Sequence, residues 1–69
     1  MTITAELRDW QSGQVFIGRI YNDTRNRWPD GRMIRTSMVV STNDQGDHIL
    51  VKTLNSVYKC EKKYRAQGT

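Results

Sequence analysis

The sequence contains one cysteine, one histidine, one proline and one phenylalanine. A single cysteine excludes an intrachain disulfide, and small secreted domains usually depend on such bridges. One cysteine and one histidine cannot build a four-ligand zinc site without a second chain. No apolar run approaches the roughly 20 residues that a bilayer-spanning helix needs. Polar residues interrupt the apolar positions throughout residues 1–15, so no signal-peptide core is legible there. The expected location is the cytoplasm.

The groups that chemistry requires are equally sparse. Acid–base or nucleophilic catalysis needs two or three convergent side chains. His48 follows Asp47 beside a polar loop and reads as a solvated histidine. Cys60 shares its period-two parity with Tyr58 and reads as a small core or edge residue. The seven acidic residues are scattered through turns. No glycine-rich phosphate loop opens a helix, because no segment holds helical spacing for more than a turn. No enzyme activity, no cofactor and no metal are expected.

What remains is a small, basic, aromatic-containing chain. Sixty-nine residues make one domain, which buries only about 60% of its unfolded surface. The composition, 36% hydrophobic and 26% charged, excludes a disordered tail. The net charge is +4 and is unevenly spread. Between Arg19 and Arg35 stand five arginines against two aspartates. A basic excess favours an acidic partner, either nucleic acid or an acidic protein face.

The patterning is that of strands. Ile3, Ala5 and Leu7 alternate with Thr2, Thr4, Glu6 and Arg8, which predicts a half-buried strand over residues 2–8. Asp9-Trp10-Gln11-Ser12-Gly13 carries turn chemistry. Residues 14–21 predict a second strand, with Phe16, Gly18 and Ile20 on one face and Val15, Ile17, Arg19 and Tyr21 on the other. Glycine inside a strand signals a bulge, sharp curvature or a neighbour close above the backbone. Residues 22–27 hold no apolar side chain and read as a loop, closed by the turn Trp28-Pro29-Asp30-Gly31. Arg32–Ser41 predicts a third strand with a bulge or change of face near Thr36-Ser37, since strict alternation cannot serve Met33-Ile34 and Met38-Val39-Val40 together. His48–Thr53, with Ile49 and Val51 inward, and Ser56–Glu61 complete the set. The tail is expected to fray from about residue 65.

Short strands about ten residues apart predict an all-β domain. The expected form is a small, strongly bent antiparallel sheet or a five-stranded SH3-like barrel. An OB-like barrel would need a helix between its third and fourth strands, and the chain leaves no room for one.

Residues 28–58 carry a further pattern. It runs Asp30-Gly31-Arg32-Met33-Ile34-Arg35-Thr36-Ser37-Met38, then Val51-Lys52-Thr53 and Asn55-Ser56-Val57-Tyr58. This resembles small proteins carried by bacteriophages, prophages and plasmids. The resemblance implies a bacterial cytoplasmic setting and a non-enzymatic role on a host factor or a nucleic acid. It gives no binding residue to carry over.

The candidate binding residues are Arg25, Arg27, Trp28 and Arg32, with Tyr21 and Arg35 beside them. Arginine next to exposed Trp or Tyr is the usual composition of an interface hot spot. The leading expectation is a small binding or regulatory protein that occupies an acidic face of a bacterial protein. Nucleic-acid binding by the same basic patch, independent of base sequence, is the alternative. Arg19 and Arg35 would share a face if the second and third strands pair as a simple hairpin. Lys59, Lys62, Lys63 and Arg65 form a second basic cluster. The aromatic excess and the short sheet edges add an expected homodimer.

Overall fold

The computed structural model describes residues 2–66, and the chain is all-β as its patterning predicts. The strands are β1 (Ala5–Gln11), β2 (Ile17–Tyr21), β3 (Met33–Arg35), β4 (Val39–Asp44), β5 (His48–Thr53) and β6 (Val57–Glu61). One turn of 3-10 helix, Lys62–Tyr64, follows. The strands form one sheet in the order β3-β2-β1-β6-β5-β4. Every pair is antiparallel except β1 and β6, which run parallel. Instead of five strands or a closed barrel, the chain makes a six-stranded, mixed and open sheet.

The sixth strand arises where the third was expected to change face. Thr36 is buried, and its N–H donates to the Phe16 carbonyl at 2.9 Å. The Phe16 N–H in turn donates to Thr36 Oγ1 at 2.9 Å. Inward residues Ile34 and Thr36 therefore belong with β2. Three residues on, Val39 is half-buried and pairs with Thr53 of β5. The chain has changed partners, so one predicted strand becomes β3 and β4 at opposite edges. The segment between them bends the sheet. The Val39 N–H donates to Gln14 O at 2.9 Å, and Met38 O accepts from Leu54 N–H at 3.3 Å. One short piece of chain thus touches both the approach to β2 and the exit from β5.

Of the residues expected to form a turn after the first strand, Asp9, Trp10 and Gln11 are still strand, and only Ser12 and Gly13 lie beyond it. Asp9 adopts a left-handed conformation, φ 52°. Between the pairs Arg8↔Arg19 and Gln11↔Ile17 the chain spends one more residue on β1 than on β2. That bulge turns Trp10 inward, where it is 1% exposed. Trp10 is therefore core and not a loop aromatic. It stacks on Phe16 with ring centroids 5.6 Å apart, and its indole N–H donates to Glu61 O at 2.9 Å. Leu7, Ile20, Val51 and Cys60 complete the fully enclosed part of the core, with Tyr58 buried beside them.

Thr4 and Trp10 are each held to residues late in the chain. The Thr4 N–H donates to Val57 O at 2.7 Å, and Thr4 Oγ1 accepts from Val57 N–H at 3.1 Å. Arg65 bridges Trp10 in parallel, and the Ala66 N–H donates to Trp10 O at 2.9 Å. The remainder of the tail expected to fray, residues 67–69, lies outside the described residues.

Candidate macromolecule-binding surface

In the loop from Asn22 to Arg32, Asp30 Oδ1 accepts from the Asn22 N–H at 2.8 Å, and residues 23–27 fold around the Asp23 carboxylate. Asp23 is followed at short range by polar residues whose N–H groups need acceptors, the setting in which Asp organises a local turn. Its side chain, 1% exposed, accepts from the backbone N–H of Arg25 at 3.1 Å and of Arg27 at 2.9 Å. The Arg27 guanidinium closes on the same carboxylate, with Nε at 3.1 Å and Nη2 at 3.3 Å. Burial alone would raise the Asp23 carboxyl. The Arg27 side chain and the two backbone donors outweigh it and hold the group below the usual carboxylate range.

Arg27 is consequently part of the fold. Besides Asp23 it donates to Ser56 Oγ at 3.3 Å and Tyr58 Oη at 3.5 Å, and it lies 4.6 Å over the Trp28 ring. Trp28 is half-buried and packs against the core. Arg25 is exposed, with one guanidinium N–H reaching Ser56 Oγ at 3.3 Å. These three candidate residues sit together: Arg25 and Arg27 both reach Ser56, just before β6, and Trp28 lies under Arg27.

The other three lie elsewhere. The β2–β3 register is Ile17↔Arg35, Gly18↔Ile34 and Arg19↔Met33. This is the simple hairpin register, so Arg19 and Arg35 do share the outer face of the sheet. Side chains directly opposite on one face stand about 5 Å apart at Cβ. The outer face therefore reads as a checkerboard, with Ile17 beside Arg35 and Met33 beside Arg19. Ile17 is 42% and Met33 49% exposed. Arg32, just before β3, and Arg35 are both exposed and make no ion pair among the described residues.

Tyr21 continues this face toward β1 and is half-buried. The Arg8 guanidinium lies between two rings, 4.3 Å from the Tyr21 centroid and 4.6 Å from that of Tyr64. Glu6 approaches Arg8 at 3.6 Å. Arg8 Nε is buried without a hydrogen-bond partner, since ring faces cover it. Arg19 is steadied by Gly31 O at 3.0 Å and Asp9 at 3.5 Å.

The second basic cluster is dispersed. Lys62 meets both carboxylate oxygens of Asp44 at 3.0 Å. Lys63 lies over Tyr64 at 5.2 Å and Arg65 over Trp10 at 5.5 Å. Lys59 stands between Glu6 and Leu50 in the sheet register.

His48, half-buried at the start of β5, has Nδ1 2.6 Å from Oδ1 of the exposed Asp47 before it. That contact is the main reason the Asp47 carboxyl lies below its ordinary value. Cys60 is fully enclosed, and burial pushes its thiol up to about 12. Among the described residues, no three His, Cys, Asp or Glu side chains gather in a metal-ligating group. Among them, too, no helix is long and apolar enough to cross a membrane.

Of the residues on the outer face, the sequence reading missed Arg8, Tyr64, Ile17 and Met33 as a group. Period-two parity places Arg8 outward, but nothing local joins it to Tyr64. No family model, no curated protein and no solved structure matches the chain.

Proposed function

We propose that the chain is a non-enzymatic binding or regulatory module that occupies an acidic face of another protein through the outer surface of β1, β2 and β3. The observation that carries this reading is the checkerboard of exposed Ile17 and Met33 with Arg19 and Arg35. Apolar and arginine side chains intermixed in one exposed patch are the composition of a protein interface. A phosphate-binding surface has no use for exposed Ile and Met. Arg32 and Arg35 would steer an acidic partner, and Ile17 or Met33 would anchor it.

The alternative, nucleic-acid binding, draws on the same arginines together with Tyr21 and Tyr64. Its support is weaker because each ring already carries Arg8 on one face, leaving less surface for stacked bases. A bacterial cytoplasmic setting, phage or prophage encoded, agrees with the sequence resemblance and with an enclosed, unpaired Cys60. A homodimer belongs to the same reading. The β4 edge is exposed from Val40 to Asp44, and its one charge is already neutralised by Lys62. A second positively charged copy can approach there without facing like charge.

The test is affinity capture from nuclease-treated bacterial lysate. It compares the wild type with Ile17→Ser, Met33→Ser and Arg35→Ala, all of them surface changes. A protein partner retained by the wild type and lost in these variants supports the reading. Partners that vanish with nuclease transfer the face to nucleic acid. Partners indifferent to all three substitutions rule this face out.

A further inference from the structure

A separate groove of about 330 Å3 lies where the N-terminal residues, the Asp23 loop and the β5–β6 turn meet. Its volume is at the low end for small-molecule sites, about 300–1,000 Å3. Its lining includes Arg25, Lys52, Thr2, Thr24, Asn55 and Ser56, and it contains two cations and no carboxylate. We propose that this groove binds a doubly charged phosphate group, either as free phosphate or on a small phosphate monoester.

The charge balance is the first argument. Arg25 and Lys52 make no ion pair among the described residues. The carboxylate that could have balanced Arg25 is Asp23, and it is buried and committed to Arg27. Two uncompensated cations on one concave surface raise the local potential and favour an anion.

The donors are the second argument. Ser56 is 6% exposed, and its Oγ accepts from Arg25 and from Arg27, each at 3.3 Å. With its oxygen facing two guanidinium donors, the Ser56 hydroxyl proton has to point elsewhere, and it finds no acceptor among the described residues. Arg25 is held by one nitrogen, leaving its other N–H groups free to pair with oxyanion oxygens. Lys52 adds an ammonium. The supporting frame is fixed. Asn55 donates to Ser37 Oγ at 2.9 Å, and Thr53 Oγ1 accepts from the Ser56 N–H at 3.1 Å. Thr24 donates to Thr4 O at 2.9 Å. Leu54 and Val57 complete the lining, and its charged groups are both cations. Two cations with hydroxyl and amide donors, on a pinned turn, suit a tetrahedral oxyanion and repel a metal ion.

The experiment titrates inorganic phosphate, and separately a nucleoside 5′-monophosphate, into 15N-labelled protein at constant ionic strength set with chloride. The expected result is saturable shifts confined to residues 2–4, 24–25 and 52–57. Arg25→Gln and Lys52→Gln should each weaken binding about tenfold, the loss of one charge-assisted contact. Lys62→Gln removes the same charge outside the groove and should leave affinity unchanged. Amide dispersion confirms that each variant is folded. Tighter binding of the nucleotide than of phosphate assigns the monoester as ligand, and equal binding assigns the free ion. Either outcome supports the site. No saturable binding of either probe, or a loss as large in Lys62→Gln as in Arg25→Gln, would overturn it.

Discussion

Gly18 lies directly against Trp10: a methyl group built on Gly18 would come 3.0 Å from Trp10 Cβ and 3.1 Å from Trp10 Cα. The same methyl would stand 3.1 Å from the Arg8 carbonyl oxygen. Two of these three atoms are backbone, so no flexible side chain can move aside.

Gly18→Ala should therefore destabilise the domain by about 1–3 kcal/mol, the usual cost of overpacking a filled interior. Urea denaturation followed by Trp fluorescence measures it, as a lower midpoint at unchanged slope. A variant as stable as the wild type would show that β1 and β2 are not held as closely at the bulge as described.

Acid should weaken the protein through Asp23. Its carboxyl is more acidic folded than unfolded, so the unfolded chain takes up the proton first as pH falls. The stability it contributes is complete above the ordinary value of 3.8 and disappears as pH drops through the lower folded value. Asp23→Asn should cost about 2–3 kcal/mol at neutral pH, since it leaves a half-buried guanidinium without its counter-charge. It should also flatten the stability profile below pH 4. Denaturant midpoints at pH 7 and pH 3, wild type against variant, decide this; equal acid sensitivity in both would exonerate Asp23.

Much of the sheet was legible because burial there follows local parity. Residues 48–53 form a strand around the aliphatic run Ile49-Leu50-Val51. Tyr58 and Cys60 fall inward, as period two demands. Gly18 signalled a bulge, sharp curvature or a close neighbour; Trp10 lies against it, beside the bulge in β1. Trp10 itself was misplaced because Asp9 has the same chemistry in a turn as in a bulge: left-handed φ and a short polar side chain. The split of β3 from β4 was legible as a change of face, but not as a change of partner, which only the tertiary arrangement decides. The same division holds for the site. Arg19 and Arg35 follow from a hairpin register. Arg8 and Tyr64 meet because β1 and β6 run parallel across the whole chain, and no local pattern encodes that pairing. Arg27 looked free because its loop lacks apolar residues, yet an Asp four positions earlier already claimed it.

Cys60 should be silent toward thiol reagents in the native protein. Its thiol is enclosed and held near 12, so almost no thiolate is present at pH 8. Ellman's reagent should label it only as the chain unfolds, at a rate that rises with urea. Complete labelling within the mixing time in native buffer would contradict the enclosed position.

The Tyr21–Arg8–Tyr64 stack makes a prediction that separates ring from hydroxyl. Both rings lie within 5 Å of the guanidinium, at 4.3 and 4.6 Å, which is the range of cation–π attraction. Neither tyrosine hydroxyl accepts a hydrogen bond from Arg8 in this arrangement, so the attraction belongs to the ring faces. Tyr64→Phe should therefore be neutral in stability, whereas Tyr64→Leu should lose about 0.5–1 kcal/mol and loosen the 3-10 turn from the sheet. The Arg8 Nε–H provides a direct probe, because it is covered by rings and lacks a hydrogen-bond partner. Its 1H resonance should lie upfield of those of the exposed arginines. It should stay there in Tyr64→Phe and move back in Tyr64→Leu. An Arg8 signal at the ordinary position in the wild type would mean that the guanidinium does not sit between the rings. The outer face would then lose the element that fixes its β1 side.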